Sequence, residues 1–239
     1  MPTGHEEIWR FTPIAKFATV LAEQTTTACL DWTIDAPESV QVDELDPARL
    51  HDLAETPQDR ISMMAAANST HAPRHIVVPD DVELDSPVEI TLTGTGVEEA
   101  AFQNVVVEIG HNARATVIVR YRGTAQLGEN WTFRVGDEAH VVVLFIQEWE
   151  AEAVHGAQIA FEIGRDAVVR TAQASFGGKA VRVSQTARYT APGGDLTDLG
   201  AYFVDVDQHV EHRLFVDHNE PRSVSHVDYR GCLQGQDAH

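Results

Sequence analysis

Four times between positions 108 and 195 a run of strand-type residues ends in glycine with a polar neighbour and then resumes. The copies are Glu108-Ile109-Gly110-His111-Asn112-Ala113, Arg134-Val135-Gly136-Asp137-Glu138-Ala139, Glu162-Ile163-Gly164-Arg165-Asp166-Ala167 and a looser Pro192-Gly193-Gly194-Asp195. From Gly110 through Gly136 and Gly164 to Gly194 the steps are 26, 28 and 30 residues, the range of repeats in solenoids, propellers and arrays. A propeller blade needs about 40 to 45 residues, which disfavours that architecture. No helical periodicity separates the copies, so each unit is expected to lie on its neighbour about 4.8 Å away as a coiled sheet. The expected fold is mainly β, a right-handed parallel β-helix over residues 74–239, preceded by a small mixed and helical region over residues 1–73.

Hydrophobic residues make up 43% of the chain and charged residues 23%, an ordinary balance for a protein with a packed core. The formal charge of −20 repels phosphate backbones and anionic membrane surfaces, so neither nucleic acid nor membrane is an expected partner. Cys29 and Cys232 are the only cysteines; they form neither a disulfide framework nor a zinc motif, which fits a reducing cytoplasm. The first residues lack a basic stretch followed by an apolar one, and no segment approaches the length of a membrane span. The closing Gln234-Gly235-Gln236-Asp237-Ala238-His239 supplies no cap for a last coil, as expected of a fragment or of a chain that pairs with another subunit or a second copy.

Apolar spacing after Pro13 predicts a short amphipathic helix within the first 24 residues. Asp46-Pro47-Ala48-Arg49-Leu50 reads as a helix start with proline in the first turn, and Ile61 to Ala67 as a second short helix. Strand patterns begin at Ile76 and include Val88 to Leu92, Leu199 to His209 and His212 to Val216.

Ligand-type side chains are densest from Asp205 to Asp228. On one extended strand Asp205, Asp207, His209 and Glu211 would share a face, and imidazole with carboxylate suits first-row metals. A solvated face of an acidic protein gives the same pattern. His212 falls on the opposite, valine-bearing face, where a buried imidazole needs a hydrogen-bond partner. His218 lies in a turn-like segment, and Cys232 is either a soft ligand or a small buried hydrophobe. The candidate metal ligands are therefore His209, Glu211, His212, His218 and Cys232, with no candidate catalytic residue. No nucleophile elbow, phosphate loop or dinucleotide fingerprint is present.

The segment Glu6-Glu7-Ile8-Trp9-Arg10-Phe11-Thr12-Pro13 resembles the opening motif of the SufB/SufD family of iron–sulfur cluster assembly proteins. The segment His209-Val210-Glu211-His212, followed by Asp217-His218-Asn219-Glu220-Pro221, Ser225 and Tyr229-Arg230-Gly231, is similar to that family's His-rich strand and Tyr-(Arg/Lys)-Gly turn. The opening motif and sparse cysteines place the resemblance on the SufD side. It implies a right-handed parallel β-helix serving as a non-enzymatic scaffold, partnered by a SufB-like subunit and a SufC-like ATPase, and assisting iron entry. No tightly bound cofactor is implied, only iron or a cluster passing transiently at the partner interface. The family's further coils and C-terminal helical region, which carry the SufC docking surface, would follow His239. The competing expectation is a β-helix polysaccharide lyase or hydrolase using Asp205 and Asp207 as acid and base; a self-assembling structural coil is a third.

Overall fold

In a computed structural model, which describes residues 1–22, 30–69 and 71–239, the chain is mainly β and forms a parallel solenoid of about six turns. Strands β1 (Leu30–Asp35), β2 (Gln41–Glu44) and β3 (Arg74–Val78) lead into the long β4 (Val88–Ile109) and β5 (Arg114–Val135). Next come β6 (His140–Trp149), β7 (Val154–Ile163), β8 (Val168–Gly177), β9 (Ala180–Tyr189), β10 (Asp195–Val204), β11 (His209–Asp217) and β12 (Val224–Leu233).

Strands β4 and β5 each bend and serve two walls. The first half of β5 pairs with β6, bringing Val117 beside Val143, and its second half pairs with β7, bringing Trp131 beside Ile159. The first wall continues through β8, β10 and β12, and the second through β9 and β11, all in parallel register. Antiparallel β1 covers the first half of β4, and β2 covers β3, so the first coil does not present a bare edge.

Alternation along each strand sends every second side chain inward, where in-register pairing stacks like upon like. Val88, Val117 and Val143 make one such column, and Val107, Phe133 and Phe161 another. The rings of Phe133 and Phe161 stack with centroids 4.9 Å apart. Burying each of these side chains is worth about 1.5–3 kcal/mol.

At the repeated corners the left-handed residue is not glycine but the polar residue two positions on: Asn112, Glu138 and Asp166 have φ of 51°, 60° and 49°. Glycine is required by the neighbouring coil instead. A Cβ on Gly110 would lie 2.5 Å from the Asp80 backbone nitrogen, and one on Gly164 2.8 Å from that of Asp137. Corner aspartates knit successive turns, Asp137 Oδ1 accepting the Arg165 N–H at 2.8 Å.

The strand expected from Leu199 to His209 is interrupted. β10 ends at Val204 and a turn follows. Asp205 Oδ1 accepts the Val206 N–H at 2.7 Å, and Asp207 takes φ of 60°, conformations that aspartate favours in turns. Asp205 and Asp207 thus do not share a strand face with His209 and Glu211.

After Pro13 the chain makes a 3-10 turn at Ile14–Phe17 and helix α1 (Ala18–Leu21). Helix α2 (Pro47–Leu53) starts with Asp46 accepting the Ala48 N–H at 2.8 Å, and α3 (Arg60–Ala67) with a reciprocal box between Asp59 and Ser62. The arm and α3 pack outside the second wall, joining Trp9, Phe17, Leu21, Ile61 and Met64 to Phe102. Gly156 makes the seat, since a Cβ there would come within 2.6 Å of Ile61 Cδ1. Among the described residues no helix is long and apolar enough to cross a membrane. Cys29 lies outside the described residues.

Candidate functional site

The arm reaches the last coils on the outer side of the second wall. There β11 turns His209, Glu211 and Arg213 outward, and Arg182 of β9 stands in register with Glu211. Arg182 is only 1% exposed. Its guanidinium pairs with Asp59, donates to the Ile8 carbonyl at 3.1 Å and lies 4.3 Å from the Trp9 ring centroid. Thr12 Oγ1–H donates to Glu211 Oε2 at 2.6 Å. One buried cation therefore joins the arm, α3 and β9.

His209 Nε2 lies 3.6 Å from Glu211 Oε2, beyond ordinary hydrogen-bonding distance. Burial works to raise the Glu211 carboxyl's pKa, but His209, the Thr12 hydroxyl and the Arg182 guanidinium hold it below its ordinary value. Arg213 adds a further cation 3.6 Å from Glu211 Oε1. Beside this group runs a groove of about 770 Å³, lined by Phe11, Lys16, Asp207, His209, Glu211 and His239 among others.

The remaining expected ligands lie apart. His212 points inward, where its Nε2 is 3.2 Å from Ser175 Oγ. His218 sits in the β11–β12 turn, its two ring nitrogens 2.8 and 2.9 Å from the hydroxyls of Ser223 and Ser225 and its ring 5.3 Å from Tyr189. Cys232 is exposed on β12, in the first wall. Of the five, the structure brings together only His209 and Glu211. Among the described residues no group of three or more His, Cys, Asp or Glu side chains is arranged to hold a metal ion. Asp205 and Asp207, the pair a glycan-cleaving chemistry would need, occupy an exposed turn.

Two polar groups inside the solenoid escaped the sequence reading. In the earlier coils Glu129, fully buried, accepts from Tyr121 Oη–H at 2.6 Å and from Gln103 Nε2–H. Trp149 Nε1–H donates to His155 Nδ1 at 3.3 Å, which leaves His155 Nε2–H to donate to Glu129 at 2.7 Å. Burial would raise the Glu129 carboxyl's pKa; the His155 imidazole and these hydrogen bonds bring it below the ordinary 4.5. In the later coils Asp198 accepts from Gln185 Nε2–H at 3.0 Å and from Tyr229 Oη–H at 3.2 Å. The parity of Leu196, Asp198 and Gly200 was the available signal: residues two apart on a strand share a face, and Leu196 is buried.

Residues 91–239 match the family described as SUF system FeS cluster assembly, SufBD core domain. An iron-sulfur cluster assembly SufBD family protein of Mycobacterium tuberculosis is 35% identical over 243 residues, and one of Mycobacterium leprae 31% identical over 238. These alignments cover 100% and 98% of this chain and 60% of each relative.

Proposed function

Because this chain belongs to the SufBD family of iron–sulfur cluster assembly proteins, we propose that it is a non-enzymatic scaffold subunit of a cytoplasmic cluster-assembly complex, of the SufD type. Its partners on this reading are a SufB-like subunit and a SufC-like ATPase, and iron or a nascent cluster is cargo at the partner contact. The observation that carries the proposal is the coincidence of the matched core with the stacked coils that build both walls from β5 onward. The opening segment adds support, since Trp9 and Thr12 anchor the arm to Arg182 and Glu211 of the matched core.

The test is affinity capture of the tagged full-length gene product from its own cells, followed by identification of the bound chains. Co-purification of a second SufBD-family chain and an ATPase is expected. A monomer that captures neither, or robust turnover by the purified subunit on a polysaccharide panel, would contradict it.

A further inference from the structure

Glu129 and Asp198 both lie at 0% exposure inside the solenoid, but in unlike company. Glu129 has the His155 imidazole at 2.7 Å besides its neutral donors. Asp198 on β10 has neutral partners alone. Gln185 Nε2–H of β9 donates to it at 3.0 Å, and Tyr229 Oη–H of β12 is shared between its two oxygens, 3.2 Å from each. Among the described residues no cation forms an ion pair with it. A buried carboxylate without a countercharge is costly, and protonation removes that cost.

The element best placed to yield to that cost is β12. It is the outermost strand of the first wall, bonded to β10 on one side. The two strands interlock through reciprocal tyrosine–glycine pairs. Tyr229 lies over Gly200 and Tyr202 over Gly231, and a Cβ on either glycine would come within 2.1 Å of the facing ring. Tyr229 thus reaches Asp198, two residues before Gly200, only while β12 is seated. Val227 stands in register with Asp198 on the same face and is 45% exposed, so solvent is one strand away from the carboxyl.

We propose that Asp198 is a proton-operated latch on the last coil: with its carboxyl neutral β12 is seated against β10, and loss of the proton to solvent loosens β12 and admits water to the interior. Burial raises the Asp198 pKa from 3.8 to about 7, against the opposing pull of the Tyr229 and Gln185 hydrogen bonds. The folded value therefore lies above the unfolded one, so the stabilising contribution is full below the unfolded value and is lost as the pH rises through about 7. The surroundings do not titrate in that window. From β8 and β9 the carboxyl meets Thr171, in register with it, and Gln185. From β12 it meets Tyr229, whose pKa burial and the Asp198 charge raise. Behind the Tyr229 ring, at 5.3 Å, is His212 of β11, which burial holds neutral by lowering its pKa to about 4.

This proposal is independent of the scaffold reading: partner capture can succeed whether or not β12 answers to pH. The test is amide hydrogen exchange of the full-length gene product at pH 6, 7, 8 and 9, corrected for intrinsic base catalysis and read by mass spectrometry over residues 224–233. Opening of β12 should rise about tenfold between pH 6 and 8 and level off above, while β6 shows no such rise. Asp198→Asn, neutral throughout, should abolish it. Tyr229→Phe removes a donor to the carboxylate, so the levelling should move to higher pH; it is the second variant if Asp198→Asn does not fold. Exchange of β12 that ignores pH, an equal rise in Asp198→Asn or in β6, or levelling of Tyr229→Phe at the native pH would overturn the proposal.

Discussion

Arg182 is the side chain on which the N-terminal arm is fixed, and its replacement has a definite expected cost. With Arg182 removed, Asp59, 7% exposed, is left as a buried charge without its partner. Breaking such a pair from one side costs about 3–5 kcal/mol, so Arg182→Met should lower the urea midpoint accordingly. Replacing both partners, Arg182→Met with Asp59→Leu, should recover part of the loss. Glu129 supplies a pH signature. Its folded pKa lies below the ordinary 4.5, so the ionised form contributes stability above that value, and the contribution is lost as the pH falls through the folded value. Urea midpoints measured downward from pH 5 should fall more steeply for the native chain than for Glu129→Gln, which starts less stable at neutral pH because it lacks the charge-assisted contacts.

Strand and corner geometry carry the next level. A Cβ on Gly136 would lie 2.9 Å from the Gly110 carbonyl carbon, backbone that cannot swing aside, so Gly136→Ala should cost about 1–3 kcal/mol as overpacking does. Thermal denaturation should show it as a drop of about 2–4 °C per kcal/mol. The corner spacing was legible in the sequence, but the reason for glycine was not, because it lies in the adjacent coil and not in the turn itself. Helix α3 is held differently. Asn104 Nδ2–H donates to the Ala65 carbonyl at 2.8 Å and Asn130 Nδ2–H to that of Ser62 at 2.9 Å, giving the helix fixed partners on the wall. Asn130→Ala should raise amide exchange over residues 60–67 while the exchange of β5 and β7 stays unchanged; uniform protection across α3 would refute this role.

Across the whole molecule, parallel in-register stacking brings each side chain against its counterpart in the next coil, so outer columns need alternating charge. Arg134 meets Glu162 at 3.2 Å, and Glu162 in turn meets Arg188. The same stacking explains which parts of the sequence could be read. Period and alternation announced the solenoid, since both are local. Parity likewise placed His209 and His212 on opposite sides of one wall, but the departure of Asp205 and Asp207 from the face of His209 was hidden, because a turn at Asp205–Gln208 interrupts the strand. The interior charges Glu129 and Asp198 were hidden for a related reason: parity shows that a residue points inward, but only the other wall shows what it meets.

The scaffold claim is tested most directly by measuring cluster formation, by absorbance, on the reconstituted full-length complex with and without this subunit, and on the subunit alone. The account predicts that the subunit alone assembles no cluster and that the complex loses most of its yield when the subunit is omitted. An unchanged yield without it, or cluster assembly by the isolated subunit at the rate of the complex, would contradict the account.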